Sequence, residues 1–566
     1  MYNYFMKTRW YKNAVVYQIY PFSFKDNNND GWGDIDGIIS KLDYLKELGV
    51  TAIWFSPLYK SPDYDYGYDI ADYRNIDEKF GTMEDFDRLL EECHKRNLKV
   101  IMDMVLNHTS IEHEWFKKAI DDNDEEYRDY YIIRKGKYKG KKLLPPTNWA
   151  STFTGSAWER IKDSDEYYLH LFCVEQPDLN WENPKVRQEA ADILNFWLDK
   201  GVDGFRFDVF NMYSKVYPLK DDNTKSFQKG SPYFVDGPRM HEFLKELNEK
   251  SLSHYDSYTV GESYHPNDVD AYEYVREDNN ELDTIFNFAH LDSDNIGGAK
   301  YFKKKFDILQ FKRGLFTPQY TNHIGAWNTL VLENHDNPRS VNRFGLDYKH
   351  YHYEAATMLA GITYMGFGTP FIYMGQEVGL TNTDFKSIDD MKDPVSHFVY
   401  DLLRHYGVPK NLAFRFIRYG ARDHSRVPMM WNDSINGGFN DGHETWQCVN
   451  EDYKNINVEK DMNSDKSIFR FYQKLINIKR TNETAILGEV IEHDHENKKV
   501  VAYERLYKNN RIFVVGNFTN RTIRYSIPDN YSSNDEILLS NYNLDAIDST
   551  DIELRPYEVL AIEQSK

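Results

Sequence analysis

The sequence predicts an α/β protein: a (β/α)8 TIM barrel with an inserted small domain after strand 3 and a C-terminal antiparallel β-sandwich. Three observations carry this expectation. Eight short, near-continuous apolar runs alternate with longer helical patterns through most of the chain. A polar stretch of mixed charge interrupts the alternation once, between the third and fourth runs. From about residue 485 onward, helical periodicity gives way to strand alternation.

The candidate strands are 14–21, 51–57, 99–105, 204–210, 257–263, 283–289, 329–336 and 369–377. Runs such as Val100-Ile101-Met102 read as parallel strands covered on both faces. The helices between them carry start and stop signals. Thr82 with Asp85 three residues on resembles a capping pair, and Phe86, Leu89, Leu90 and Cys93 follow on one helical face. Asn183-Pro184 opens another helix, which runs to about Lys200 and stops at Gly201. Ile35, Ile38, Ile39, Leu42 and Leu45 line one face of a further helix ending at Gly49. Strand–helix alternation of this kind points to a barrel. A doubly wound open sheet is disfavoured, because no Gly-x-Gly-x-x-Gly follows a strand.

Residues 109–177 are too long for an ordinary barrel loop and read as the inserted domain. The lysine-rich run from Arg134 to Lys142 within it reads as a solvated turn. Residues 1–108 and 178–484 form the expected catalytic barrel, and 485–566 the C-terminal domain.

Composition narrows the class. The chain of 566 residues is 41% hydrophobic and 28% charged, as expected of a packed protein and not a disordered one. Its formal charge of −21 argues against a nucleic-acid partner and mildly against an anionic substrate. No apolar run approaches the roughly 20 residues that span a bilayer, so no membrane partner is expected. Cys93, Cys173 and Cys448 give no disulfide or metal framework, and the N-terminus lacks a secretory pattern. The expectation is a cytoplasmic protein, working as a monomer, with no organic cofactor.

Barrel active sites lie at the C-terminal ends of the strands. Those ends carry Asp103 to His108, Arg206 and Asp208, Glu262, and Glu333 to Asp336; the loop after the second strand adds Asp65 and Tyr68. Several carboxylates at one mouth suit glycoside hydrolysis, in which one attacks the anomeric carbon and another protonates the leaving oxygen. Arg206 and Asp208 share a strand face by period-two alternation, so the cation would keep Asp208 ionised. Nearby negative charge would help Glu262 stay protonated.

These motifs, in this order, resemble the α-amylase superfamily (glycoside hydrolase family 13), and most of all its oligo-1,6-glucosidase/dextran glucosidase branch. The resemblance runs from Trp10–Pro21 to the C-terminal domain. It implies that Asp208 in Gly-Phe-Arg-Phe-Asp is the nucleophile, Glu262 in Thr-Val-Gly-Glu the general acid/base, and Asp336 in Asn-His-Asp the group that grips sugar hydroxyls. It implies that His108, His335 and Arg206 complete the site, that Tyr68 is a stacking platform, and that Asp65 with Arg426 closes the pocket. A closed pocket means exo action. Gln176-Pro177-Asp178-Leu179-Asn180 looks like the branch signature. Val209 after the nucleophile goes with α-1,6 preference in that branch, whereas alanine or threonine there goes with α-1,4. Ser263-Tyr264-His265-Pro266 departs from the usual Met-containing segment, and Met430 replaces the usual glutamine.

The loop Asp26-Asn27-Asn28-Asn29-Asp30-Gly31-Trp32-Gly33-Asp34 offers oxygen donors at positions 1, 3, 5 and 9, suited to a hard cation. It is not an EF-hand, because position 12 is Gly37. By spacing alone it is equally an Asn/Asp-rich turn without metal. The resemblance implies a structural Ca2+ or Mg2+, with candidate ligands Asp26, Asn28, Asp30, Trp32 and Asp34.

The expected activity is a retaining exo-α-glucosidase acting on terminal α-1,6, and also α-1,4, bonds of isomaltose-type oligosaccharides through a glucosyl-Asp208 intermediate. A sucrose isomerase or transglucosidase would use the same machinery, but the arginine-bearing loop expected before the seventh strand is absent. A trehalose-6-phosphate hydrolase would need a cationic phosphate pocket. A non-catalytic sugar-binding homologue would lack the catalytic acids that are present here.

Overall fold

The computed structural model describes residues 9–121, 124–225, 228–264, 269–297, 299–532 and 534–564. Eight parallel strands wind into a barrel: β1 (Val16–Ile19), β2 (Ala52–Phe55), β3 (Lys99–Met104), β4 (Gly204–Phe207), β5 (Tyr258–Gly261), β6 (Thr284–Ile285), β7 (Thr329–Val331) and β8 (Thr369–Tyr373). The hydrogen-bonded order is β6-β5-β4-β3-β2-β1-β8-β7. Across the remaining seam the Thr329 hydroxyl donates to the Ile285 carbonyl at 3.0 Å. All eight expected strands are present. Every core strand is fully buried except at Lys99, because helices cover its outer face.

The strands are shorter than their apolar runs at the C-terminal ends. The seventh was expected over 329–336 and stops at Val331. There the Glu333 carboxylate takes the Ser340 amide and hydroxyl at 2.8 and 2.6 Å, and side chain–backbone bonds replace the ladder. The polar ends of the runs are loop, which frees their side chains for the mouth.

Helix signals hold with one correction. Thr82 and Asp85 form a capping box at the start of Met83–Lys95. Asn183 caps Pro184–Lys200, and Gly201 ends it at φ 102°, a conformation that glycine adopts without strain. The single helix expected from Ile35 to a stop at Gly49 is two, Ile35–Ser40 and Leu42–Leu48, which share Lys41 as the break at ψ 5°. The apolar stripe continues across that break, so periodicity alone did not show it.

Between β3 and β4 lie the short helices Glu114–Ile120 and Glu125–Arg128 and an antiparallel sheet of Ile133–Lys135, Glu166–Leu169 and Trp158–Arg160. The lysine-rich run is an exposed hairpin, Lys137–Lys139 against Lys142–Leu144, rather than a plain turn. Trp149, Trp158, Leu169 and Leu171 form a small core that also takes in Val209, Met212 and Phe234 from beyond β4. At the C-terminus a five-stranded antiparallel sheet packs over a two-stranded one, with Phe513, Tyr525, Leu554 and Ile562 between them. Arg505 and Tyr503 from this sheet bond to carbonyls of the barrel at Met365, Gly366 and Ile362, which seats the C-terminal sheet directly on the barrel. Among the described residues, no helix is long and apolar enough to cross a membrane.

Candidate active site

Register builds the site. Arg206 on β4 stands opposite Asp103 on β3 and Val260 on β5. The amide of Asp208 donates to Met104 O at 3.0 Å, and the amide of Glu262 to Phe207 O at 2.8 Å. Asp208 and Glu262, the first residues after two adjacent strands, are thereby brought beside Arg206 and Asp103. Arg206 Nη1 donates to Asp103 Oδ1 at 2.8 Å and to Asp208 Oδ1 at 2.5 Å, while Nη2 donates to Glu262 Oε2. One buried guanidinium thus serves three carboxylates. Asp208 and Glu262 are thus held on the two terminal nitrogens of one guanidinium.

Asp103 is held further by Tyr68 Oη at 3.0 Å and Trp54 Nε1 at 3.2 Å. The Tyr68 ring lies parallel to that of His335, with centroids 5.3 Å apart. Its hydroxyl is 2.7 Å from His335 Nε2, and Gln18 Nε2 is 2.8 Å from His335 Nδ1. With Gln18 so oriented, the imidazole proton sits on Nε2. Asp336 Oδ2 lies 3.1 Å from that nitrogen. His108 contacts Gln176 Nε2 at 3.1 Å and the Tyr68 carbonyl at 3.2 Å. Gln176, from the branch-like signature, in turn reaches Asp65 Oδ2 at 3.3 Å.

Asp65 and Arg426, expected to close the pocket together, lie in one charged cluster but do not pair directly. Asp65 Oδ1 pairs with Arg422 Nη2 at 3.3 Å. Arg426 instead donates to Asp336 Oδ1 at 2.9 Å and to His335 O at 2.9 Å. Arg422 also reaches Asp336 Oδ1, at 3.0 Å. Sequence reasoning missed Arg422, although its place one helical turn before Arg426 was a usable signal. It also missed Lys300, whose ammonium donates to Asp336 O at 3.3 Å. No local pattern marks that lysine.

Val209 sits in the left-handed region, φ 36° and ψ 42°. A β-branched residue there is a genuine outlier, and such strain clusters at functional sites. Tyr264 follows β5 at the same mouth, and its amide donates to Asn211 Oδ1 at 2.9 Å. His265 and Pro266 lie outside the described residues. Met430 is buried in the main core.

The electrostatics separate the acids. Burial raises Glu262 to about 8; Arg206 opposes this, and Asp208 and Asp336 add to it. The expected cause, neighbouring negative charge, is therefore secondary to burial. Burial also raises Asp208, but Arg206 opposes it and the group reaches only about 6. For Asp336 the same burial is outweighed by His335, Arg422, Arg426 and Lys300, which hold it well below the usual carboxylate range. Burial keeps His335 neutral. Its contribution to Asp336 is then a hydrogen bond, and the cations are the two arginines and Lys300. Burial lowers Lys300 to about 8.

The candidate metal loop stands apart from these groups and packs on residues 439–446. Asp26 accepts the amides of Asn29 and Gly31 at 2.7 and 3.0 Å and Asn440 Nδ2 at 3.0 Å. Asp34 accepts those of Asn27 and Asn28 at 2.7 and 3.0 Å and caps the next helix. Asp30 takes the Trp32 amide at 2.9 Å. Gly31 has φ 98°, and a Cβ there would lie 2.5 Å from the Glu444 carbonyl. The donors suit Ca2+ or Mg2+ in kind, being hard oxygens. Among the described residues, no three His, Cys, Asp or Glu side chains gather as a metal-holding group, so Asn28 and backbone oxygens would have to supply part of any coordination.

A barrel whose mouth sets an ionised and a protonated carboxyl side by side on one arginine has the constellation of a glycoside hydrolase. Residues 18–488 match the family described as alpha amylase, catalytic domain, and residues 500–560 match the alpha-amylase SusG C-terminal domain. The chain belongs to the α-amylase family of glycoside hydrolases. It is 46% identical over 560 residues to an oligo-1,6-glucosidase of Parageobacillus thermoglucosidasius, covering 98% of each chain. Among solved structures it is similar to a trehalose-6-phosphate hydrolase of Bacillus licheniformis, with TM-score 0.92, 42% identity, and 99% and 100% of the two chains covered. It is also similar to an isomaltulose synthase of Erwinia rhapontici NX5, with TM-score 0.93, 40% identity, and 98% and 99% covered.

Proposed function

We propose that this chain is a retaining, exo-acting α-glucosidase that hydrolyses terminal non-reducing α-1,6, and also α-1,4, glucosidic bonds of isomalto-oligosaccharides. The observation that carries this reading is the shared guanidinium: Arg206 binds Asp208 through one terminal nitrogen and Glu262 through the other. Retaining enzymes hold the pair about 5–5.5 Å apart, whereas inverting ones open it to about 6.5–9.5 Å to admit a water between them.

At neutral pH Asp208, near 6, is ionised and attacks the anomeric carbon. Glu262, near 8, holds the proton and passes it to the glycosidic oxygen. A glucosyl-Asp208 ester forms as the leaving sugar departs. Glu262, now a base, takes a proton from water, which attacks the same carbon and frees Asp208 with retention. Asp336 is anionic throughout and faces the glycone with Arg426 and Arg422. His108, His335 and Tyr68 line that side. The Asp65–Arg422 pair is buried on both partners, which supports a closed pocket and exo action. Val209 supports the α-1,6 preference, as does the name of the relative from Parageobacillus thermoglucosidasius. The inserted lobe, residues 109–177 in this reading, shapes the wall beside Val209. Similarity to a trehalose-6-phosphate hydrolase keeps that substrate in the test.

In the same reading Asp26, Asn28, Asp30, Trp32 and Asp34 hold a structural Ca2+ or Mg2+ away from the chemistry. The protein acts as a cytoplasmic monomer; Cys93, Cys173 and Cys448 are all free thiols, as a reducing compartment would keep them. The deciding experiment is an initial-rate panel on isomaltose, maltose, sucrose and trehalose 6-phosphate, with all products identified. Glucose released fastest from isomaltose supports the reading. An isomer made from sucrose, or preference for the phosphorylated disaccharide, replaces the substrate assignment.

A further inference from the structure

Arg422 faces a competition. Its guanidinium touches Asp336 through Nη1 and Asp65 through Nη2, one nitrogen to each, at 3.0 and 3.3 Å. Single contacts of this kind leave a planar group free to swing about its last bonds. A third carboxylate removes that freedom. Asp393 accepts Nε at 3.0 Å through Oδ2 and Nη2 at 2.5 Å through Oδ1. A two-point bond along one edge of the guanidinium fixes its plane, and so fixes where Nη1 points.

We propose that Asp393 is a positioning residue for the glycone pocket: it clamps Arg422 so that one guanidinium nitrogen is presented to Asp336 and another to Asp65. The inference rests on the glucosidase reading above for its kinetic consequence, and on geometry alone for its structural one.

Asp393 is itself held firmly. It is 1% exposed. It caps the helix Pro394–His405, and its Oδ1 takes the Val395 amide at 3.2 Å. Its own amide donates to Asp423 Oδ1 at 3.0 Å, and Ser396 Oγ lies between the two carboxylates, 3.4 Å from Asp393 and 3.2 Å from Asp423. A carboxylate anchored at a helix N-terminus by a backbone amide is a rigid base from which to aim an arginine. The neighbouring cations keep it ionised. Asp393 touches no group proposed to react, so its effect must pass through Arg422.

The test uses the full chain and the variants D393N, D393A, D393E and S396A, with isomaltose and an aryl α-glucoside as substrates. Asn keeps the shape but turns a hydrogen-bond donor toward Arg422. The expected result is a loss of about 100-fold in kcat/KM for D393N and D393A, the scale of a misplaced binding group. The loss falls more on kcat than on KM, and D393E recovers part of it. Ser396→Ala removes only a long bond to Asp393 and leaves the two-point contact with Arg422, so it should cost less in kcat/KM than D393N. A crystal structure of D393N should show Arg422 Nη1 withdrawn from Asp336. Arg422 unmoved in D393N, or D393N matching wild type in kcat/KM, overturns the proposal. If the wild type cleaves neither substrate, the glucosidase reading fails instead, and the position of Arg422 in D393N still decides the clamp.

Discussion

Arg206 Nη1 stands 2.5 Å from Asp208 Oδ1, two residues further along the chain, while its other nitrogen holds Glu262. The arginine thus lowers both acids, and burial raises both. The balance leaves Asp208 near 6 and Glu262 near 8. The rate kcat/KM should therefore be bell-shaped in pH. It rises as the pair loses its first proton near 6 and falls as it loses the second near 8, and both limbs belong to the pair. Arg206→Lys removes the two-point contact, so the acid limb should move upward and kcat/KM should fall by about 100-fold or more. An unmoved acid limb would show that another group sets Asp208.

Glu262 should cost stability at high pH. Its folded pKa lies above that of the unfolded chain, so the native state binds the extra proton between the usual glutamate value of 4.5 and about 8. Native stability is full below that window and declines as pH rises through it. Glu262→Gln removes the titration. It should abolish hydrolysis of isomaltose, match wild-type Tm at pH 5, and exceed it at pH 9. Calorimetry at the two pH values reads the difference. A Tm gap that shrinks from pH 5 to pH 9 contradicts the assignment.

Val209 should tune linkage, not turnover. It sits at φ 36° beside the nucleophile, with its side chain in the core of the inserted lobe. Val209→Ala relieves β-branched crowding and opens the wall. The isomaltose-to-maltose ratio of kcat/KM should fall about 10-fold, the scale of one or two methyl groups in a pocket. An unchanged ratio would remove Val209 from the specificity account.

Chelation should separate stability from chemistry. If the Asp26–Asp34 loop holds a cation, EDTA should lower Tm by a few degrees, and Ca2+ or Mg2+ should restore it in a saturable way. Initial rates at 25 °C should stay within about twofold, since the loop makes no contact with the acids and a remote stabilising site changes the folded fraction rather than the chemical step. Asp26→Ala should lose the Ca2+ response. A Tm that is indifferent to chelator and to added cation refutes the metal.

The barrel was legible because parallel strands under helices are apolar on both faces, and Val100-Ile101-Met102 or Gly204-Phe205-Arg206-Phe207 can hardly be read otherwise. The strand ends were not legible. Glu333 and Asp336 continue the run in sequence, yet side-chain bonds to Ser340 and Asn334 turn the chain away from the ladder. Asp208, Glu262 and Asp336 could be named from short motifs that each span a few residues. Their partners required register. Asp103 opposes Arg206 only because β3 and β4 pair as they do. Arg422 and Lys300 come from segments outside the strand ends and enter the site by tertiary packing alone. The assignment of Asp65 to Arg422 has the same origin: two arginines four residues apart compete for two acids, and only geometry assigns them.

The most direct test is the anomeric form of the first product. Proton NMR of isomaltose hydrolysis, followed faster than mutarotation, reads the stereochemistry at the carbon that Asp208 is proposed to attack. The account predicts α-glucose first, with β-glucose appearing only as the anomers equilibrate, and no glucose from Asp208→Ala. β-Glucose as the first product would mean that water, not Asp208, attacks the substrate, and would contradict the covalent intermediate.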